Sequence, residues 1–169
     1  MTIHSDHPFL LPRDQREPAR RLRGRLPAPV SIWTSEADGD RAGWTISSMM
    51  VANGEPAEVV VLVNEDSDWW ELFREAGKAT VNVLARDQSW LAEVFAGMAP
   101  SPGGPFRTGE WTSAEYGPRL EGAAGWADVS LVDPDPPHAG WGLLVRVRID
   151  GVTLVDDVEA LEHRAGEYR

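Results

Sequence analysis

Seven stretches of the chain carry apolar residues in the two-residue period of a β-strand: 30–34, 43–51, 58–64, 79–84, 125–132, 141–149 and 152–155. Within 43–51, alternation sends Trp44 and Ile46 into a core and leaves Thr45 and Ser47 together on the other face. Two positions apart on a strand is ~7 Å, a spacing that suits the polar edge of a ring or a phosphate. The same pattern also describes an ordinary solvated strand face. The run Glu58-Val59-Val60-Val61-Leu62-Val63 is apolar on both faces, as in the interior of a closed sheet. Asp150-Gly151 predicts a short hairpin turn between the last two strands. Two segments break the strand pattern with helix signals. One starts at about Asp68 and ends at Gly77; the other starts at Gln88 with Asp87 as N-cap and ends at Gly97, burying Leu91, Val94 and Phe95. The loops 100–105 and 133–140 are rich in proline or glycine. The pattern is mainly β with accessory helices, in one domain over 20–169 behind a mobile lead-in over 1–19.

Charge separates the lead-in from the body. The chain carries −11 in all, yet residues 1–25 hold six arginines against three acids, leaving −14 on the remainder. An acidic body repels nucleic acid, and the interrupted basic arm is expected to pack on that body instead. No cysteine is present, which excludes disulfides, Cys-zinc sites and thiol nucleophiles. No apolar run approaches membrane-spanning length, and residues 1–7 lack the regions of a secretory signal, so a cytoplasmic protein without a membrane partner is expected. His4 and His7 have a helical metal spacing but only Asp6 nearby, and no native metal site is expected.

The chain lacks a G-x-S-x-G elbow, a Walker loop and a G-x-G-x-x-G fingerprint, so hydrolase, NTPase and Rossmann chemistry lose their usual support. What it does carry, in order, is Arg20 to Thr34, Gly43-Trp44-Thr45-Ile46-Ser47-Ser48, Asn64-Glu65-Asp66-Ser67, Ala79-Thr80-Val81-Asn82-Val83-Leu84-Ala85, Phe95-Ala96-Gly97 and the closing His163-Arg164-Ala165-Gly166-Glu167-Tyr168. This collinear series resembles the flavin reductase-like family, whose split barrels carry a G-x-T-x-S-S segment, an A-V-N-V-L-A strand, an F-A-G helix end and an H-R-G-x-Y-like tail. The resemblance covers about residues 20 to 169.

The resemblance implies an FMN-binding split β-barrel that forms a homodimer with the flavin near the subunit interface. It implies NAD(P)H-dependent flavin reduction, with reduced flavin passed to a partner oxygenase. Hydride transfer between two stacked cofactor rings asks little of side chains, which suits a chain without an evident acid, base or nucleophile. A non-catalytic FMN-binding protein and a barrel using FAD or a deazaflavin are the alternative readings.

By the same resemblance, Thr45, Ser47 and Ser48 line the flavin ring or its ribityl chain, and Asn82 joins them unless it satisfies a neighbouring backbone group. Ser67 stands at a helix mouth suited to a phosphate. There the chain departs from the family: Asp68 and Trp69 replace basic and hydroxyl residues, and Glu65 and Asp66 add negative charge, so Arg86 or Lys78 is expected to compensate the phosphate. His138 and His163 match positions near the flavin or nicotinamide. Trp44, Trp126 and Trp141 are expected to pack the barrel, with Trp69 or Trp70 as candidates to cover a ring.

Overall fold

The computed structural model describes residues 17–169. The first 16 residues of the lead-in, with His4 and His7, lie outside the described residues. From Pro18 the chain forms a six-residue helix, α1 (Pro18–Arg23), whose last turn carries Arg20, Arg21 and Arg23. One eight-stranded antiparallel sheet follows, in which the two-residue strand His138–Ala139 pairs with the last of seven longer strands: β1 (Ser31–Ala37), β2 (Asp40–Ile46), β3 (Met49–Ala52), β4 (Glu58–Val63), β5 (Lys78–Val83), β6 (Gly125–Leu131) and β7 (Gly142–Leu154). Their spatial order is β2-β1-β5-β6-β7-β4-β3.

That order makes a curled, split barrel whose two end strands do not pair with each other. β2 and β3 stand at its two ends, yet only Ser47 and Ser48 separate them in the chain. Three Cα steps reach at most ~11 Å, so the sheet must curl until its outer strands approach each other at this pair. Ser31 Oγ donates to the Ile46 carbonyl at 2.9 Å, and the Leu62 N–H donates to the Ser48 carbonyl at 2.9 Å, which ties the seam to β1 on one side and β4 on the other. The single strand expected over 43–51 is therefore two strands, broken because its halves pair with opposite ends of the sheet.

Two apolar clusters hold the sheet. Inside the barrel, Val59, Val61, Val63, Val145 and Val147 surround Trp33, Trp69 and Phe73. Trp69 stacks on Phe73 with ring centroids 4.9 Å apart and meets Trp33 edge-on at 5.8 Å. Outside, Ile32, Leu84, Leu120 and Leu161 pack with Leu91 and Phe95. β1 is buried on both faces because Ile32 serves the outer cluster and Trp33 the inner one.

Helix α2 (Asp68–Ala76) starts at Ser67, whose Oγ accepts from the Trp70 N–H, and stops at Gly77 in the left-handed conformation. Its buried face plugs the barrel with Trp69, Trp70 and Phe73. Helix α3 (Ser89–Phe95) follows a 3-10 turn over Arg86–Gln88. Gln88, not Asp87, closes that turn by accepting from the Ala85 N–H at 2.9 Å. Leu91, Val94 and Phe95 are buried as the periodicity predicts.

Three further expectations change. β4 is not buried on both faces: Val59, Val61 and Val63 point inward, while Leu62 is 43% exposed on the outside. Asp150-Gly151 is a bulge inside β7, with Ile149 opposite Val129 and Gly151 opposite Asp128. A type I′ hairpin turn needs positive φ at both central residues, and neither position has it. Trp141 is 76% exposed and packs no barrel, whereas Trp44 and Trp126 each flank a buried cluster.

Candidate functional site

The seam gathers several of the candidate residues. Gly43 opens the segment because α3 crosses it closely: a Cβ there would stand 2.7 Å from Phe95 Cε1. Two residues on, Thr45 Oγ1 donates to the Ala92 carbonyl of α3 at 2.8 Å, so its proton is used within the fold and its oxygen is left to accept. Ser47 and Ser48 lie in the β2–β3 connection and receive the guanidinium of Arg23. Arg23 Nη2 donates to Ser48 Oγ at 2.8 Å and to Ser47 Oγ at 3.3 Å.

His163 borders the same place from the short strand Glu162–Arg164, which pairs with Ala28–Pro29 just beyond α1. Burial lowers its pKa, and the nearby charge of Arg23 lowers it further against the opposing pull of Glu93. The imidazole is thus neutral at neutral pH. Its ring meets Tyr168 at 5.2 Å, and the Tyr168 phenol is pushed up to about 12 by burial and by the Glu93 carboxylate.

The other candidates fall elsewhere. Asn82 is fully buried and belongs to the fold: its Nδ2 donates to the Ile32 carbonyl at 3.0 Å and to Thr34 Oγ1 at 3.2 Å, and its Oδ1 accepts from the Leu120 N–H at 2.7 Å. A polar side chain survives in the core here because neighbouring backbone groups need partners, the alternative role expected for it. Arg86 is bound to Glu159 at 2.7 Å on the surface, and Lys78 to Glu115 at 2.7 Å. Neither stands ready to compensate a phosphate. Trp69 and Trp70 are buried at 1% and 4% exposure and cover no ring.

Ser67 and His138 share a second place at the mouth of α2. A groove of about 380 Å³ there is lined by Glu65, Asp66, Glu71 and Asp135 against a single cation, Arg74. The Ser67 hydroxyl is committed twice, accepting from the Trp70 N–H at 3.2 Å and donating to the Asn64 carbonyl at 2.8 Å. His138 Nε2 lies 3.6 Å from Glu65 Oε2. Four carboxylates around a capped helix end oppose a phosphate, so the anion site expected at Ser67 is not supported by its surroundings.

The two places lie on one end of the barrel. Ser48 bonds to Leu62, Leu62 is opposite Leu144, and the Leu144 N–H donates to the Pro137 carbonyl at 2.8 Å beside His138. Three strand spacings, ~14 Å, separate the seam from the histidine. Among the described residues no group of three or more His, Cys, Asp or Glu side chains could hold a metal ion. No helix among them is long and apolar enough to cross a membrane.

The curled sheet thus carries a serine pair with Arg23 at its seam and a His138–Glu65 pair on the same end. The sequence matches the model of the flavin reductase like domain over residues 23–169, and the chain belongs to that family. It is 34% identical to the FMN reductase (NADH) RutF of Ancylobacter novellus over 72% of this chain and 67% of that one. It is 33% identical to the reductase component of the FADH(2)-dependent resorcinol hydroxylase of Rhizobium sp., over 64% of this chain and 61% of that one. Its fold superimposes on the NADH:FAD oxidoreductase SgcE6 of Streptomyces globisporus, in complex with NAD and FAD fragments, with a TM-score of 0.81 at 22% identity, covering 95% of this chain and 94% of the other.

Arg23 is a seam residue that sequence reasoning did not single out. It falls in the basic arm expected to pack on the acidic body, and nothing in the pattern of residues 20–25 tells which arginine meets a connection 24 positions away.

Proposed function

We propose that this protein is a reductase that uses NADH to reduce FMN, working as a cytoplasmic homodimer that supplies reduced flavin to a partner oxygenase. The observation that carries the reading is the family match over residues 23–169 together with the hydroxyl seam at Ser47–Ser48, which the fold builds at the rim of its barrel. The names of the relatives support NADH as donor, FMN as acceptor and an oxygenase as consumer.

The rim residues fit a flavin by the chemistry of their donors. Ser47 and Ser48 offer hydroxyl protons and Arg23 a cation, which suit the oxygen-rich ribityl phosphate end of that cofactor. A flavin held there would supply the ring that takes up a hydride from a nicotinamide. The protein's part is to bind, orient and exclude water. Thr45, Ser47 and Ser48 hold polar flavin atoms at the seam, and His138 and His163 border the nicotinamide side, the latter neutral and able to donate or accept. The barrel plug of Trp33, Trp69 and Phe73 gives these groups a rigid floor.

Support for the dimer comes from the outer face of β3 and β4. Met50 is 66% and Leu62 43% exposed, and Val60, cross-strand from Met50, continues the row. An apolar strip of this kind beside the seam suits a second copy. Titration with FMN followed by flavin fluorescence, alongside light scattering, tests both parts. Saturable binding at one flavin per chain and twice the chain mass of 18.6 kDa are expected. Failure to bind FMN, FAD or riboflavin would sink the flavin reading, and a flavin-binding monomer would sink only the dimer.

A further inference from the structure

We propose that Arg23, Ser47 and Ser48 form a phosphate-binding site, which takes the phosphate of FMN in place of the mouth of α2. The inference rests on the flavin reading above and adds where the anionic end of a nucleotide goes.

Arg23 differs from the ion-paired cations of this acidic protein in what its guanidinium meets. Arg41, Lys78, Arg86, Arg119, Arg146 and Arg148 each meet a carboxylate at 2.6–2.7 Å. Arg23 meets two neutral hydroxyls instead, and no carboxylate lies within ion-pair distance of it among the described residues. A guanidinium only donates, so it fills lone pairs of Ser47 and Ser48 and leaves both hydroxyl protons pointing elsewhere. Among the described residues neither serine hydroxyl donates to a protein acceptor. The cluster therefore presents one positive charge and two O–H donors without an acceptor, the complement of a phosphate monoester.

Its surroundings agree in sign. Arg20 and Arg21 share the last turn of α1 with Arg23, and Arg23 acts electrostatically on His163. Glu93 acts on His163 with the opposite sign, and its carboxylate is engaged with the Tyr168 phenol. The rival location fails on the same criteria, since the Ser67 hydroxyl is used in capping and four carboxylates line its groove.

The phosphate of the flavin and those of the nicotinamide dinucleotide share this chemistry, and two arms separate them. In the first, wild type and Arg23→Gln are titrated with FMN and with riboflavin, which lacks the phosphate, at low and high salt. Arg23 is on the surface of a short helix, so thermal unfolding should show the variant folded. FMN affinity should fall about tenfold and lose much of its salt dependence, while riboflavin affinity stays within about twofold. In the second arm, the KM for NADH is measured with riboflavin as acceptor. Unchanged FMN affinity with a KM for NADH raised about tenfold would overturn the assignment to FMN and give the cluster to the dinucleotide instead. Arg86→Gln is the comparison, expected to change neither quantity. The proposal is overturned if Arg23→Gln changes neither, if riboflavin weakens as much as FMN, or if the phosphate-specific loss appears in Arg86→Gln. A wild type that binds neither flavin overturns the flavin reading itself and this site with it.

Discussion

Trp69→Ala should destabilise the protein by about 4 kcal/mol, the largest effect expected from any single truncation in the barrel. Trp69 is 1% exposed, stacked on Phe73 at 4.9 Å and set edge-on to Trp33 at 5.8 Å. Truncation leaves a cavity between a helix and a closed sheet, and neither can move in without breaking backbone hydrogen bonds. Its Nε1–H is buried without a hydrogen-bond partner among the described residues. Trp69→Phe keeps the stack and removes that unpaired donor, so its cost should stay near 1 kcal/mol despite the lost volume. Urea unfolding of both variants measures the difference. A cost below about 1 kcal/mol for Trp69→Ala would return this residue to the role of covering a ligand.

The second large effect is at Asn82. Asn82→Ala should cost about 3 kcal/mol, because the Leu120 N–H and the Ile32 carbonyl lose their partner inside a core from which water is excluded. FMN affinity of the folded variant should change by less than about twofold. The discriminating outcome is the combination. Weaker FMN binding with unaltered urea unfolding would show that Asn82 reaches the ligand, contrary to its hydrogen bonds.

The contrast between Asn82 and Ser47 shows what the sequence can carry. Both sit in short motifs of strand-like pattern, and alternation assigns each a face. What lies on that face depends on the partner of the strand. The outer face of β5 is covered by the Pro118–Leu120 segment, more than thirty residues away, and Asn82 is drawn into the core. The face of Thr45 is covered by α3 through Ala92. Ser47 and Ser48 escape such cover because they bridge the two ends of the sheet. Elements with local causes were legible: the start of α2 at about Asp68, its stop at Gly77, the apolar stripe of α3 and most strand spans. Features set by closure were not. The break of 43–51, the bulge at Asp150 and the approach of Arg23 to the seam all follow from strands curling together, which no local pattern encodes. The collinear family motifs gave the class correctly, while the departure at Asp68 marked where the family's site could not be copied residue by residue.

The central claim is that the barrel rim holds a flavin where a nicotinamide can reduce it. Anaerobic mixing of the FMN-loaded protein with NADH tests this most directly. The visible absorbance of oxidised flavin should bleach rapidly in a saturable, NADH-dependent phase, and oxygen should restore it. Protein that binds FMN tightly but bleaches no faster than free FMN with either NADH or NADPH would contradict the account and leave a flavin-binding protein without reductase turnover.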